Sequence, residues 1–144
     1  MAQLNPYLTF NGNCETAFKF YRSVFGGEFQ QLMRFKDMPP MPDMKLPESA
    51  NEKLMHIALP ISKETILMGS DANPLMGEVK QGNNFSLTIM ASSKEEASKL
   101  FSRLSEGGKV TMPLADQFWN AYFGMLTDLF NINWIITFDY PKKD

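Results

Sequence analysis

The residues best suited to chemistry in this sequence are its single histidine, His56, and an aspartate that follows it, Asp71. An imidazole titrates near neutral pH, so His56 could act as a general base or donate a hydrogen bond to a ligand. Asp71 lies at the end of the next predicted strand and could orient the imidazole. We therefore take His56 and Asp71 as candidate catalytic residues, with a half-buried structural histidine as the alternative.

Aromatic side chains form a second group, concentrated in the second half of the chain. A large flat ring with one polar atom is typical of a ligand-binding pocket. On this basis Trp119, Tyr122 and Phe123 are candidate ligand contacts. An aromatic cluster is more often part of a core, and that interpretation applies more strongly to Phe118 and Trp134.

Other residue patterns give weaker signals. Cys14 begins a predicted helix, where free amides stabilise a thiolate, but no second cysteine or nearby histidine supports catalysis. Met38, Met41 and Met44 have a spacing that a Cu(I) site could use, although the prolines between them favour an adaptable hydrophobic lid. Phosphate-binding glycine loops, paired C-x-x-C motifs and a Rossmann-type glycine fingerprint are absent from the sequence.

Composition restricts the possible partners. The chain has 144 residues, with 14 Lys and Arg against 16 Asp and Glu, for a net charge of −2. Such a charge provides no electrostatic surface for nucleic acid or for an anionic membrane. No apolar run approaches the roughly 18 residues that span a bilayer, and the N-terminus does not resemble a secretory signal. A lone cysteine fits a reducing compartment, so we expect a soluble cytoplasmic protein. Because nucleic acid and membranes are disfavoured, we expect its partner to be a small molecule.

The elements that would position these residues occur twice along the chain. Residues 7–10 form a strand-like run, which is followed by a helix-like pattern and a glycine pair at 26–27. The same order recurs about 80 residues later, with a strand-like run at 86–89 and a glycine pair at 107–108. In both helix-like segments the apolar residues recur every three or four positions, as on one face of a helix.

Start signals and strand patterns complete the two halves. Asn13 is a favourable N-cap for the first helix, and Ser93 with Glu96 forms a capping box for the second. The strands predicted after the helices span residues 28–35, 54–60 and 65–70 in the first half, and 109–112, 121–128 and 133–139 in the second.

These patterns predict an α+β fold of two tandem βαβββ modules, at about residues 1–72 and 84–144. We expect their curved mixed sheets to enclose a shared cleft within a single domain of residues 1–144. A Met- and Pro-rich segment at residues 36–52 is long for a loop, which indicates either a lid or a mobile excursion.

Several short segments, together with the repeat, carry a family resemblance. They are residues 6–10, 17–21, 25–27, 55–56, 67–71, 118–119, 123–124 and 128–130. The chain resembles the vicinal oxygen chelate superfamily of glyoxalases, bleomycin-resistance proteins and extradiol dioxygenases, and within it the PhnB-like group. The resemblance covers almost the whole chain and implies a homodimer.

The resemblance also implies where a metal would bind. Active members of the family hold a divalent metal with His or Glu ligands from the first and last strands of the two modules. Carried over to this chain, those places fall near Tyr7 or Thr9, Leu67 or Met68, Phe85 or Leu87, and Ile135. None of these residues is His, Asp or Glu, so we expect no metal site and no cofactor. The same places make Tyr7 and Met68 candidate ligand contacts.

Two functions are compatible with these residues, besides a third possibility in which the cleft merely serves the packing of a dimer. The first is a metal-free cleft that binds a small apolar or aromatic molecule, with His56 providing polar recognition. The second is a metal-dependent lyase, isomerase or dioxygenase of the glyoxalase class, which would use His56 with ligands such as Asp71 or Asp139. Methyltransferase activity, a label attached to some PhnB-like proteins, has no support in the sequence.

Overall fold

The computed structural model of the chain describes residues 2–39 and 45–142. Its internal contacts divide the chain into two compact units, Met1–Lys80 and Gln81–Asp144. Within these described residues, each unit contains one α-helix and one four-stranded mixed sheet in the order βαβββ. The predicted α+β fold of two tandem βαβββ modules is therefore confirmed, while the shared cleft stays a prediction.

The first unit is built around a helix that packs on one face of its sheet. Its elements are β1 (Tyr7–Phe10), α1 (Cys14–Phe25), β2 (Gln31–Arg34), β3 (Leu54–Pro60) and β4 (Ile66–Asp71). The strand order is β1-β4-β3-β2, in which β1 and β4 are parallel and the other pairs are antiparallel. Two short 3-10 helices, Phe35–Asp37 and Glu48–Ala50, lie between β2 and β3. Met41 and Met44 of the predicted lid lie outside the described residues.

Helix α1 buries one face, as the recurrence of its apolar residues every three or four positions predicts. Cys14, Ala17, Phe18 and Tyr21 are buried, whereas Phe20 is only half-buried. The helix packs closely because β4 carries a glycine beneath it. A Cβ atom on Gly69 would lie 2.7 Å from the Phe18 ring, so only a glycine leaves room for that ring.

The second unit repeats this arrangement. Its elements are β5 (Leu87–Met90), α2 (Lys94–Leu104), β6 (Lys109–Gln117), β7 (Ala121–Thr127) and β8 (Asn133–Asp139). The strand order is β5-β8-β7-β6, again with the first pair parallel and the others antiparallel. The core between helix and sheet contains Phe101, Leu104, Leu126, Trp134 and Ile136.

The two helices begin in different ways. Helix α2 has the predicted cap, because the Ser93 Oγ accepts a hydrogen bond of 3.0 Å from the Glu96 N–H. The Glu96 carboxylate in turn accepts a bond of 3.0 Å from the Ser92 N–H. At α1 the predicted cap is not formed, since the Asn13 side chain makes no capping hydrogen bond. The carboxylate of Asp71 takes its place from the end of β4.

In the part of the chain that the structure describes, no helix is long and apolar enough to cross a membrane.

Candidate functional site

The sheet of the first unit has one face under helix α1 and one face turned away from it. Gly69 faces α1, and Ile57 lies opposite Gly69 in the register of β3 and β4. Because side chains alternate along a strand, the neighbours of these two residues point to the other side. We call that side the distal face of the first sheet, and it carries Tyr7, His56, Met68 and Ser70.

His56 and Tyr7 form a stacked pair on this distal face. Their ring centroids are 5.7 Å apart, and the ring planes meet at 27°. The Tyr7 hydroxyl lies 3.3 Å from His56 Nδ1 and hydrogen-bonds to it. The pair therefore fixes the orientation of the imidazole and directs the hydrogen bond to one of its two ring nitrogens, which leaves Nε2 for another partner.

Two methionines lie beside the stacked pair. Met68 is opposite Tyr7 on β4, and Met33 is opposite His56 on β2. Tyr7 is 48% exposed and Met33 is 40% exposed, so this apolar surface is accessible. The structure thus brings three predicted site residues, Tyr7, His56 and Met68, onto one face. Met33 was missed by sequence reasoning, although its position in a strand adjacent to β3 was a usable signal.

Asp71, predicted to orient His56, lies on the opposite side of the sheet. It is buried, with its Oδ1 accepting hydrogen bonds from the Gly12 and Cys14 N–H groups at 3.0 and 2.9 Å. Its Oδ2 accepts a third bond, of 2.9 Å, from the Leu54 N–H. The predicted pairing with His56 is not formed. Asp71 instead fastens the start of α1 and the start of β3 to the end of β4.

Cys14 is part of the same buried junction. Burial raises the pKa of its thiol, and the negative charges of Asp71 and Glu15 raise it further. The position at a helix N-terminus would favour a thiolate, but desolvation outweighs that effect here. Cys14 is therefore a buried, protonated thiol that contributes to packing.

In the second unit, Trp119 and Phe123 lie together. Trp119 is in the turn between β6 and β7, and its ring contacts that of Phe123 edge-on with centroids 5.3 Å apart. Trp119 is 47% exposed. Phe118, also in the turn, is 97% exposed and packs edge-on against Trp119 at 5.0 Å, so it is not the core residue that we expected.

Tyr122 points to the other side of the sheet from Phe123. It is next to helix α2, where its hydroxyl is 3.3 Å from Ser98 Oγ and the Lys94 ammonium is 4.8 Å from its ring centroid. The structure thus separates Tyr122 from the two aromatic residues grouped with it. Trp134 is a core residue, as the aromatic-cluster interpretation expected, and its Nε1 donates a 2.8 Å bond to Asp128.

The helix side of this unit also holds an exposed polar cluster. Tyr140 donates a short hydrogen bond to the Asp116 carboxylate, which raises the pKa of the Tyr140 hydroxyl. The hydrogen bond with Tyr140 raises the pKa of the nearby Lys94 ammonium. Both groups keep their usual charge at neutral pH, so the cluster provides a surface network and no neutral-pH acid or base.

The side chains that could coordinate a divalent metal are not arranged as a metal site. Among residues 2–39 and 45–142, no three His, Cys, Asp or Glu side chains are placed to hold a metal ion. Asp71, one of the two carboxylates considered as ligands, has both oxygens bonded to backbone N–H groups. Asp139, the other, is exposed at the end of β8 and lies within 3.4 Å of the Thr137 hydroxyl. The distal face of the first sheet instead offers the His56 imidazole, the Tyr7 phenol, the Ser70 hydroxyl and the thioethers of Met33 and Met68.

Comparisons with known proteins match almost the whole chain to one superfamily and to related proteins. The sequence model of the Glyoxalase/Bleomycin resistance protein/Dioxygenase superfamily matches residues 3–136. Protein YjdN of Escherichia coli (strain K12) is 32% identical over 142 residues, which cover 92% of each chain. The crystal structure of protein PA1353 from Pseudomonas aeruginosa is similar with a TM-score of 0.83 at 37% identity, covering 96% of this chain and 98% of that one.

A more distant structure belongs to a PhnB protein from Bacillus cereus, described as a putative 3-demethylubiquinone-9 3-methyltransferase. It is similar with a TM-score of 0.71 at 22% identity, covering 95% of this chain and 99% of that one. At that identity the likeness shows a common fold and nothing about activity.

Proposed function

Since the chain belongs to the Glyoxalase/Bleomycin resistance protein/Dioxygenase superfamily, we propose that it binds a small apolar or aromatic molecule without a metal ion. The observation that carries this proposal is the stacked Tyr7–His56 pair on the distal face of the first sheet. It combines a flat, partly exposed aromatic surface with one polar atom that is positioned for a ligand.

The pair is suited to a planar ligand with a single polar group. A ring can lie against the Tyr7 side chain and the flanking thioethers of Met33 and Met68, which adapt to irregular shapes. The Tyr7 hydroxyl holds Nδ1 of His56, so Nε2 can donate to or accept from a hydroxyl or carbonyl of the ligand. A ligand without any polar group would leave that nitrogen unpaired on binding.

The test uses calorimetric titration of the full chain with 2-naphthol, an aromatic probe with one hydroxyl. We expect His56→Ala to weaken binding measurably, by up to about tenfold, which is the effect of losing one hydrogen bond. Tyr122→Phe is the matched control, because Tyr122 lies on the helix side of its sheet, and it should leave the affinity unchanged. Equal affinity for the wild-type chain and His56→Ala would contradict the proposal.

Trp119 and Phe123 form a second apolar surface, in the second unit, that is a proposed ligand contact. Trp119 is half exposed whereas Trp134 is buried, so the emission of Trp119 should respond to a bound aromatic probe. If 2-naphthol quenches tryptophan emission equally in Trp119→Phe, Trp119 does not contact the ligand.

A metal-dependent lyase, isomerase or dioxygenase is the second function that the family contains. It is less well supported, because Asp71 is engaged by three backbone N–H groups and no described cluster supplies three suitable ligands. In such an enzyme, His56→Ala would lower turnover by orders of magnitude. The methyltransferase description of the Bacillus cereus structure is not carried over to this chain.

A further inference from the structure

We propose that the second unit has a separate groove that binds a neutral, hydroxyl-rich molecule of the carbohydrate class. The groove has a volume of about 520 Å³, within the range of small-molecule sites. It lies where the chain enters the second unit and where β7 turns into β8. Its lining residues are Gln81, Gly82, Asn83, Thr127, Asn131 and Asn133.

The chemistry of the lining defines the ligand class. Four of the side chains are carboxamides and one is a hydroxyl, and none carries a charge. A carboxamide donates and accepts hydrogen bonds at the same time, as a sugar hydroxyl does, so the two are complementary partners. The lining supplies no charge that would favour an ionic ligand over a neutral one.

Internal hydrogen bonds hold part of the lining in place. The Thr127 hydroxyl donates a 2.7 Å bond to Asn133 Oδ1, and Asn133 Nδ2 lies 3.5 Å from the Phe85 carbonyl. Gln81 Nε2 lies 3.5 Å from the Phe130 carbonyl, so the Gln81 Oε1 atom can accept a hydrogen bond from a ligand. These three side chains are thus oriented before a ligand arrives, and this reduces the entropy that binding costs.

The turn that carries Asn131 is also rigid. Buried Asp128 accepts hydrogen bonds at Oδ1 from the Phe130 and Ile132 N–H groups, at 2.8 and 3.0 Å. Asn131 adopts a left-handed conformation with φ of 66°, and its N–H donates a 3.0 Å bond to the Asp128 carbonyl. The turn therefore presents the Asn131 side chain from a defined backbone.

The backbone of an exposed aromatic residue, Phe85, contacts one of the lining side chains. Phe85 is 62% exposed, and its carbonyl is the partner of Asn133 described above. A pyranose ring has an apolar C–H face besides its hydroxyls, and an exposed aromatic ring offers a surface for that face.

Maltose serves as the neutral probe in a titration of the full chain followed by ¹H–¹⁵N correlation spectra. We expect saturable shifts of the side-chain amide signals of Gln81, Asn83, Asn131 and Asn133, with a dissociation constant on the order of 1 mM. The double variant Asn83→Ala, Asn131→Gly removes two amides, and glycine accommodates the positive φ at 131. It should weaken binding at least about fivefold.

Asn51→Ala is the matched control, because Asn51 is an exposed amide in the first unit. It should leave the dissociation constant for maltose unchanged. Absence of saturable shifts, or equal affinity in the double variant, would overturn the proposal. Tighter binding of gluconate than of maltose would also overturn it, since the lining contains no cation to favour an anion. These outcomes do not depend on the Tyr7–His56 surface, whose probe is aromatic.

Discussion

Asp71 illustrates how a residue that the sequence suggests as catalytic can have a structural role. Its two oxygens accept three backbone N–H groups, from Gly12, Cys14 and Leu54, which belong to three separate segments of the first unit. Buried N–H groups need partners, and a carboxylate can satisfy several of them at once. The residue therefore stabilises the junction that places β3, and with it His56, in the sheet.

We predict that Asp71→Asn destabilises the protein by about 2–4 kcal/mol, because an amide nitrogen would face a backbone N–H and leave it unpaired in the interior. The free energy of unfolding in urea measures this. Asp139→Asn is the matched control, since Asp139 also ends the last strand of its unit but is exposed. Its expected effect is within about 0.5 kcal/mol. Similar losses for both variants would show that the buried hydrogen bonds of Asp71 are not the cause.

At the residue scale, the sequence predicted in which strand a side chain lies better than it predicted that side chain's hydrogen-bond partners. Tyr7, His56 and Met68 lie on one face of the first sheet, and their role as ligand contacts stays a prediction. Tyr122 and Phe123 were grouped, yet neighbours in a strand point to opposite sides, so alternation alone could have separated them. The partners of Asp71 could not be predicted, because they depend on how Gly12 and Leu54 are brought together by the fold.

At the scale of elements, an ion pair connects the start of α1 to the end of β2. Arg34 makes two parallel hydrogen bonds with the Glu15 carboxylate, of 2.9 and 2.8 Å. The hydrogen bond from Arg34 lowers the pKa of Glu15 below 4.5, its ordinary value, with the Arg34 and Lys19 charges lowering it further. The pair is partly exposed, so its contribution to stability is below about 1 kcal/mol.

This shift has a defined consequence for stability against pH. Because the folded-state pKa of Glu15 is depressed, the contribution is present above about pH 4.5 and is lost as the pH falls through the folded-state pKa. We expect Glu15→Gln to be less stable than wild type at pH 6 and to converge with it on acidification. Urea midpoints at a series of pH values measure the difference.

Glu28→Gln is the control for this series. Glu28 lies 4.0 Å from Arg22 and its side chain is largely exposed, so its replacement should change stability little at any pH. A stability difference for Glu15→Gln that stays constant through the acid range would contradict the role assigned to the Arg34 bond.

The predicted elements differ from the observed ones mainly at sheet edges. β3 and β8 have the predicted bounds, because their apolar patterns are long and continuous. β6 runs to Gln117 instead of ending near Met112, although Pro113 interrupts it. It is an edge strand with two register shifts, and edges and bulges are where a strand tolerates proline. Pairing with β7 extends β6, and that pairing is a tertiary effect which local sequence does not encode.

For the whole molecule, the repeat predicted the fold because each half must bury one helix face against one sheet. The same packing problem has the same solution twice. Gly69 makes room for Phe18 in the first unit, and in the second a Cβ on Gly124 would lie 2.7 Å from the Phe101 ring. The chemistry of the two units differs, with the histidine in one and the amide-lined groove in the other. Internal duplication therefore predicts the architecture of both units, but not which residues form the candidate site in each.

The assembly of the whole chain is predicted from its edge strand. β6 is nine residues long, lies at the edge of its sheet and exposes Val110 and Met112. An unpaired edge is a template for pairing with another chain, and Pro113 limits this only locally. Together with the family resemblance, this edge leads us to expect a homodimer, with each 16.4 kDa chain free of metal.

Native mass spectrometry of the purified, untagged chain, without added metal or chelator, measures both properties at once. We expect twice the chain mass with no metal adduct, and Val110→Lys should shift the population towards monomer because a charge at the edge disfavours pairing. Met76→Lys, in an exposed turn, is the matched control and should remain dimeric.

A monomeric wild-type chain would refute the dimer. One metal ion per chain would refute the metal-free proposal and favour the glyoxalase-class enzyme, whereas an organic adduct lost on gentle activation would reveal the mass of the natural ligand.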